Sequence, residues 1–297
     1  MRNRINILII GYGSIGKRHA KILSNQKFTK KIFIYSKNNN HNFKKIKKID
    51  KFNLENIDYV IIANRTREHY RTLKKLNGIL KNVTILVEKP LFDKNNKPIP
   101  LKNEVFVGYN MRYNPIINYI KKKFKKKNIK KISISSHSNL KFWRKNLNYS
   151  QSDSARKKSG VLHDYSHEID FLNWVFGRLK EKFVLHKKIS NLKIKGKDTF
   201  IFIGYIKNIL IQIDFNFFSK QNIRSIKIDQ KNSSFEFDLV NKIIKKFTDK
   251  KKYITKIKKF SRDSVYLKMH KDILFSKKKM ACTYKEGLYV NNFLSKF

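Results

Sequence analysis

The chain has 297 residues, of which 40% are hydrophobic, and a formal net charge of +48. That length accommodates two domains with sizeable cores, and the apolar share excludes a disordered chain. No apolar run approaches the roughly 20 residues of a membrane span, and one cysteine, Cys282, excludes both an internal disulfide framework and a cysteine metal cluster.

A cytoplasmic location with no membrane partner and no metal is therefore the expectation. The run Ile5–Ile10 is too short for a secretory signal and meets a glycine turn at once. The charge invites a nucleic-acid reading, but lysine accompanies abundant Asn, Ile, Phe and Tyr, while glycine (10) and proline (4) are scarce. Base bias in the coding sequence produces that pattern, the lysines are spread along the whole chain, and no specific nucleic-acid partner is expected. The positive field still attracts anionic ligands such as a dinucleotide or a nucleotide sugar.

In chain order, Ile5–Ile10, Lys31–Tyr35, Tyr59–Ala63, Val83–Val87 and Val105–Val107 read as short buried strands rich in β-branched residues. Ser14–Ser24 and Arg67–Leu80 between them have helical spacing. Strands alternating with helices imply a parallel sheet with right-handed crossovers. Asp93–Pro100, with two prolines and two asparagines, reads as a loop. A helix is expected over Pro115–Lys127, a strand over Lys130–Ser136 and a long polar loop over Asn139–Ser159. Ser166–Val175 has helical periodicity that stops at Gly177. Strand-like runs from Lys182 to Leu239, with no strong helix between them, suggest an antiparallel sheet. Helices near Val265–Phe275 and Lys285–Leu294 follow.

Gly11-Tyr12-Gly13-Ser14-Ile15-Gly16 follows a strand and opens a helix, the context in which such spacing marks a dinucleotide site. Gly11 permits the tight turn, Gly13 lets the backbone approach a pyrophosphate, and Gly16 lets the helix pack on the strand. Free N–H groups at Ser14 and Ile15 then face the phosphates. The second strand ends in Tyr35-Ser36-Lys37 without the carboxylate that NAD-specific sites place on the ribose. Ser36 and Lys37 suit a 2′-phosphate, which favours NADP over NAD; the competing reading makes Lys37 one more surface lysine. Ala63, Asn64 and Glu88 stand at strand ends that would border the cofactor.

Glu88-Lys89-Pro90 closes a core strand on the edge where open α/β sheets bind ligands, so Lys89 can meet a substrate hydroxyl. The alternative is a strand-end lysine pointing to water. Asp164 and His167 lie three apart at a helix start, spacing that can turn both to one face as a carboxylate-poised proton shuttle. Capping and surface roles are the alternative for them.

The chain resembles the Gfo/Idh/MocA family, the relatives of glucose–fructose oxidoreductase and inositol dehydrogenase. The matches, in the family's order, are Gly11 through His19, Glu88-Lys89-Pro90, Val107 through Pro115, and Gly160 through Gly177, with weaker similarity to Lys285-Glu286-Gly287. The resemblance implies an α/β fold: an N-terminal Rossmann domain, taken as residues 1–112, then an α/β domain with a large open, mostly antiparallel sheet, taken as 113–297. It implies an oxidoreductase moving hydride between a nicotinamide and a sugar-like hydroxyl or keto carbon, and assembly as a homodimer or homotetramer. It makes Lys89 the catalytic lysine and His167, beside Asp164, the acid/base histidine.

His69 takes a place where relatives often carry a histidine near the cofactor. Tyr109, Arg112, Trp143 and Arg144 are candidate substrate contacts, with packing as the alternative. The stretch around Trp143-Arg144 and Tyr149-Ser150 resembles a subgroup linked to bacterial surface-sugar biosynthesis. Three departures stand out: the glycine run before the Asp/His motif is reduced to Ser159-Gly160, the Pro90–Val105 segment is short enough to have lost a helix, and His163 replaces an apolar residue and reads as packing or surface. A non-catalytic dinucleotide-binding regulator on the same fold is the rival function, which retention of both Lys89 and His167 disfavours.

Overall fold

Strand β1 (Ile5–Ile10) is buried from Ile7 to Ile10, because its neighbours cover both faces. The computed structural model describes residues 4–37, 42–124, 128–142, 148–156, 160–276 and 278–297. After β1 come α1 (Ser14–Ser24), β2 (Thr29–Tyr35), β3 (Lys44–Lys45), α2 (Lys51–Leu54), β4 (Tyr59–Ile62), α3 (Thr66–Ile79), β5 (Thr84–Val87) and β6 (Glu104–Val107). No helix forms between β5 and β6, as the short segment predicts. The chain continues through α4 (Pro115–Lys123), β7 (Ile129–Asn139), α5 (Val161–Asp164), α6 (Ser166–Val175), β8 (Lys180–Lys187), β9 (Thr199–Ile206), β10 (Ile209–Asn216), β11 (Phe218–Gln230), β12 (Ser233–Asp238), β13 (Ile243–Phe247) and β14 (Lys252–Lys256). It ends with α7 (Arg262–Phe275), β15 (Cys282–Thr283) and α8 (Tyr284–Leu294).

Two compact units result: Met1–Tyr113 with Ser261–Lys296, and Asn114–Phe260 with Phe297. This differs from a simple division near residue 112. The segment 261–296 groups with the first unit because β15 pairs antiparallel with β6 and α7 packs on α1. Arg112 bonds the Ala281 carbonyl and the Glu286 carboxylate, which fixes α8 to the same place.

The first sheet runs β15-β6-β5-β4-β1-β2-β3, and every pair from β6 to β3 is parallel. Strand order reverses between β1 and β4, the switch point of a doubly wound Rossmann sheet. The short β3, α2 and β15 had no periodic signal in the sequence.

The second sheet runs β14-β13-β12-β11-β7-β10-β9-β8, and only β7 with β10 is parallel. In β9, Phe200, Phe202 and Ile206 face the core, while Ile203 and Tyr205 between them face outward. Helix α4 starts where Asn114 accepts the Ile116 N–H and Pro115 occupies the first turn. It ends at Lys123, four residues short of the expected Lys127; residues 125–127 lie outside the described ones. Phe124 after it stacks edge-on to Phe235 and Phe237 on the covered face of the sheet. No described helix is long and apolar enough to cross a membrane.

Candidate functional site

The parallel registers of the first unit set one row of residues at the carboxyl edge of the sheet. Ile10 pairs with Tyr35 and Ile62, Ile62 with Val87, and Val87 with Val107. The next residue on each strand is therefore level with the others: Ser36, Gly11, Ala63, Glu88 and Gly108. Backbone bonds hold the row, Gly11 N–H to Tyr35 O at 2.9 Å, Ala63 to Ile10 at 2.8 Å, Glu88 to Ile62 at 2.9 Å and Gly108 to Val87 at 2.8 Å. Ser36, Ala63, Asn64, Glu88 and Lys89, far apart in the chain, so join the glycine turn at the switch point.

Each glycine of the turn answers to a different demand. Gly11 has φ +93°, and a Cβ there would stand 2.5 Å from the backbone of Asn64. A Cβ at Gly16 would stand 2.0 Å from the Gly11 carbonyl oxygen. Gly13 has an ordinary φ of −77° and, among the described residues, nothing within 4 Å of its Cβ position. Neither conformation nor packing against the described residues asks for glycine at 13, and the open space at the start of α1 could take a pyrophosphate. No side chain caps α1 and its first turn carries no acidic residue, which leaves its N-terminal N–H groups and dipole for an anion. Asn64 donates to Thr72 Oγ1 at 3.0 Å, while its buried Oδ1 has no hydrogen-bond partner among the described residues. These features fit a dinucleotide. Lys37 is exposed and Ser36 half-buried at the end of β2.

Lys89 is half-buried, and its backbone N–H donates to Glu88 Oε2 at 3.2 Å. Glu88 itself is 6% exposed, with Oε1 2.9 Å from His19 Nε2. His69 is buried: Nδ1 lies 3.1 and 3.2 Å from the Pro90 and Leu91 carbonyls, and Nε2 lies 3.2 Å from the Asn64 carbonyl. Burial lowers its pKa against those carbonyls. It pins the loop after Lys89 to α3. Tyr109 and Arg112, each 1% exposed, are core residues, so the substrate contacts expected for them give way to packing and to the Arg112–Glu286 pair at 3.2 Å. Trp143 and Arg144 lie outside the described residues.

In the second unit, Gly160 takes φ +104° where its backbone bridges to Lys197; a Cβ would stand 2.4 Å from the Lys197 oxygen. That bridge sets the start of α5. Tyr165, between α5 and α6, meets Ser138 Oγ through its hydroxyl at 2.7 Å and packs on Phe215 and Phe217. Burial pushes its phenol well above the ordinary range. Glu168 is buried, takes the Ser136 hydroxyl at 2.9 Å and pairs with Arg224 at 2.7 Å. Tyr165 and Glu168 thus anchor this helix start on the sheet. Asp164 and His167 remain half-buried, as does His163, which reads as packing or surface. Sequence reasoning missed the Tyr165 and Glu168 anchors, although both sit in the Gly160–Gly177 motif. It also left His19 without a role, and had no signal for its partner His270.

Residues 5–97 match the model of the oxidoreductase family with an NAD-binding Rossmann fold, the Gfo/Idh/MocA family. No curated protein matches the chain. Among solved structures, the UDP-N-acetylglucosamine 3-dehydrogenase from Acidithiobacillus ferrooxidans is 14% identical, with 99% of this chain and 97% of that one covered and a TM-score of 0.78. The myo-inositol 2-dehydrogenase from Lactobacillus plantarum is 17% identical, with coverage of 98% and 95% and a TM-score of 0.76. A levoglucosan dehydrogenase in complex with NADH is 12% identical, with coverage of 98% and 95% and a TM-score of 0.79. At these identities the likeness is one of fold.

Proposed function

From the premise that residues 5–97 carry the NAD-binding Rossmann fold of the Gfo/Idh/MocA oxidoreductases, we propose that this chain is an NAD(P)-dependent oxidoreductase acting on a hydroxyl or keto carbon of a sugar, nucleotide sugar or polyol. The observation that carries the reading is the strand-end row at the switch point, with open space over Gly13 and Lys89 one residue beyond the row.

When bound, the nicotinamide supplies the hydride acceptor in one direction and the donor in the other. Gly13 and the α1 N-terminus hold the pyrophosphate. Ser36 and Lys37 select a 2′-phosphate, which favours NADP. Lys89 presents an ammonium to the substrate oxygen, where it steadies negative charge or passes a proton. His167 exchanges the hydroxyl proton, with Asp164 orienting the imidazole. The outward apolar side chains of the second sheet, Phe183, Ile203, Tyr205 and Ile254, support assembly into a homodimer or homotetramer.

Fluorescence titration with NADPH and NADH, followed by a screen of nucleotide sugars and polyols at the nicotinamide absorbance band, tests the proposal. Lys89→Met is expected to abolish turnover and leave cofactor affinity nearly intact. Full turnover in that variant refutes the assignment, and cofactor binding without turnover on any substrate class returns the chain to the regulator reading.

A further inference from the structure

Glu88 ends a buried line of hydrogen bonds that the proposed reaction does not use. From Glu88 Oε1 it runs to His19 Nε2 at 2.9 Å, from His19 Nδ1 to His270 Nε2 at 2.9 Å, and from His270 Nδ1 to the Tyr59 hydroxyl at 3.0 Å. The four groups come from the end of β5, from α1, from α7 and from β4. His19, His270 and Tyr59 are 0% exposed, so each must satisfy its polar atoms within the line.

With both imidazoles neutral, elementary donor chemistry gives the line one direction. A carboxylate only accepts, so His19 carries its proton on Nε2. An imidazole protonated there accepts at Nδ1, so His270 donates from Nε2. His270 then accepts at Nδ1, and Tyr59 O–H donates. Every group is satisfied with both rings neutral and one negative charge, at Glu88. Burial disfavours further charges: it holds the His270 pKa well below the usual range and raises the Tyr59 phenol, which the Glu88 carboxylate raises further. Other titratable groups near the line include Tyr266, whose ring packs on His19 at 5.3 Å, Arg18 and Arg262 over the Tyr266 ring at 5.9 Å, His69, which feels the Glu88 charge, and Tyr113, which feels Tyr59 and donates to Asp272 at 2.8 Å.

The line terminates at Lys89. Glu88 Oε2 accepts the Lys89 backbone N–H, and Gly108 packs so closely on the carboxylate that a Cβ would stand 2.8 Å from Oε1. We propose that the Tyr59–His270–His19–Glu88 line is a positioning device for Lys89, locking the carboxylate that fixes the Lys89 backbone and keeping its negative charge one residue away. Tyr59, His270, His19 and Glu88 are positioning residues here. The inference rests on the reading of Lys89 as the lysine that meets substrate.

Two measurements on the full chain test it. In ¹⁵N-histidine spectra, assigned with His19→Gln and His270→Gln, both rings are expected as Nε2–H tautomers; Nδ1–H tautomers, or an imidazolium at His270 near neutral pH, overturn the line. In kinetics, Tyr59→Phe removes one oxygen at the far end and leaves Glu88 and Lys89 in place. It is expected to lower kcat roughly fivefold with the cofactor KM unchanged and to move the Lys89 limb of the kcat–pH profile, and Glu88→Gln to do both more strongly, by about tenfold or more in kcat. Both variants keeping the parental kcat and profile, with only a lower melting temperature, overturns the positioning role. Turnover persisting in Lys89→Met defeats the catalytic reading and the positioning role with it, while the tautomers still report on the line itself.

Discussion

Gly13→Ala separates a ligand's demand for glycine from the protein's own. The added methyl meets nothing within 4 Å among the described residues, and φ at 13 is −77°, which alanine adopts freely. Two small terms oppose each other in stability. Alanine is a poorer N-cap than glycine by a fraction of about 1 kcal/mol, and it removes about 0.4–1 kcal/mol of unfolded-state freedom. The net change is within about 0.5 kcal/mol of zero. Gly16→Ala is the contrast: its methyl would stand 2.0 Å from a backbone oxygen. Relief requires moving the glycine turn, at about 1–3 kcal/mol of overpacking, offset in part by about 0.5–1 kcal/mol of helix preference.

Cofactor affinity should order the two differently. At Gly13 the methyl occupies the place proposed for a phosphate oxygen, and a loss on the order of a hundredfold in Kd, about 2.7 kcal/mol, is expected. Urea unfolding and fluorescence titration with NADPH and NADH measure both quantities on the same samples. If Gly13→Ala binds the dinucleotide as the parent does, the pyrophosphate does not lie there and the reasoning from open space fails.

Acid should destabilise the fold. Burial lowers the pKa of His69 and of His270, and burial with the nearby Lys197 brings His186 to about 4. A base whose folded pKa lies below its unfolded value, about 6.5, takes up a proton on unfolding. Stability is then full above about pH 6.5 and lost as pH falls below it, by about 1.4 kcal/mol per pH unit for each ring that stays neutral; urea midpoints that stay level from pH 7.5 to 5 contradict this. Arg112→Met removes the buried cation beside the Glu286 carboxylate, which is one-third exposed and keeps its bonds from Thr283, and should lower stability by about 1 kcal/mol. Denaturation curves measure it, and an unchanged midpoint with a raised substrate KM would return Arg112 to the substrate. Lys37→Glu should shift the ratio of NADPH to NADH affinity at least about tenfold toward NADH, as read by titration; an unmoved ratio makes Lys37 a surface lysine.

The Rossmann half was legible because its signals are local. Apolar runs such as Ile5–Ile10 and Tyr59–Ile62 are buried on both faces, and the glycine spacing writes the strand–turn–helix directly into the chain. The second sheet was legible in kind from the alternation in runs such as Thr199–Ile206, but its order was not, since the parallel pairing of β7 with β10 joins segments some eighty residues apart. Side-chain partners were hidden for the same reason. Arg112 looks like an anion binder until Glu286, 174 positions later, arrives beside it. His19 stands inside a recognised motif, yet its partner His270 is 251 positions away. His69 was placed near the right strands, but its carbonyl partners at Pro90 and Leu91 decide what it does.

The return of Ser261–Lys296 to the first sheet has a consequence for the order of assembly. The second unit is one stretch of chain, Asn114–Phe260, apart from the single residue Phe297, and nearly all of it is available to close on itself during synthesis. The Rossmann half cannot: β6 waits for β15, Arg112 for Glu286, and His19 for His270. A nascent chain halted near residue 260 would therefore hold a finished insert beside an unfinished host. The glycine turn after β1, although translated first, would be among the last parts to reach full rigidity.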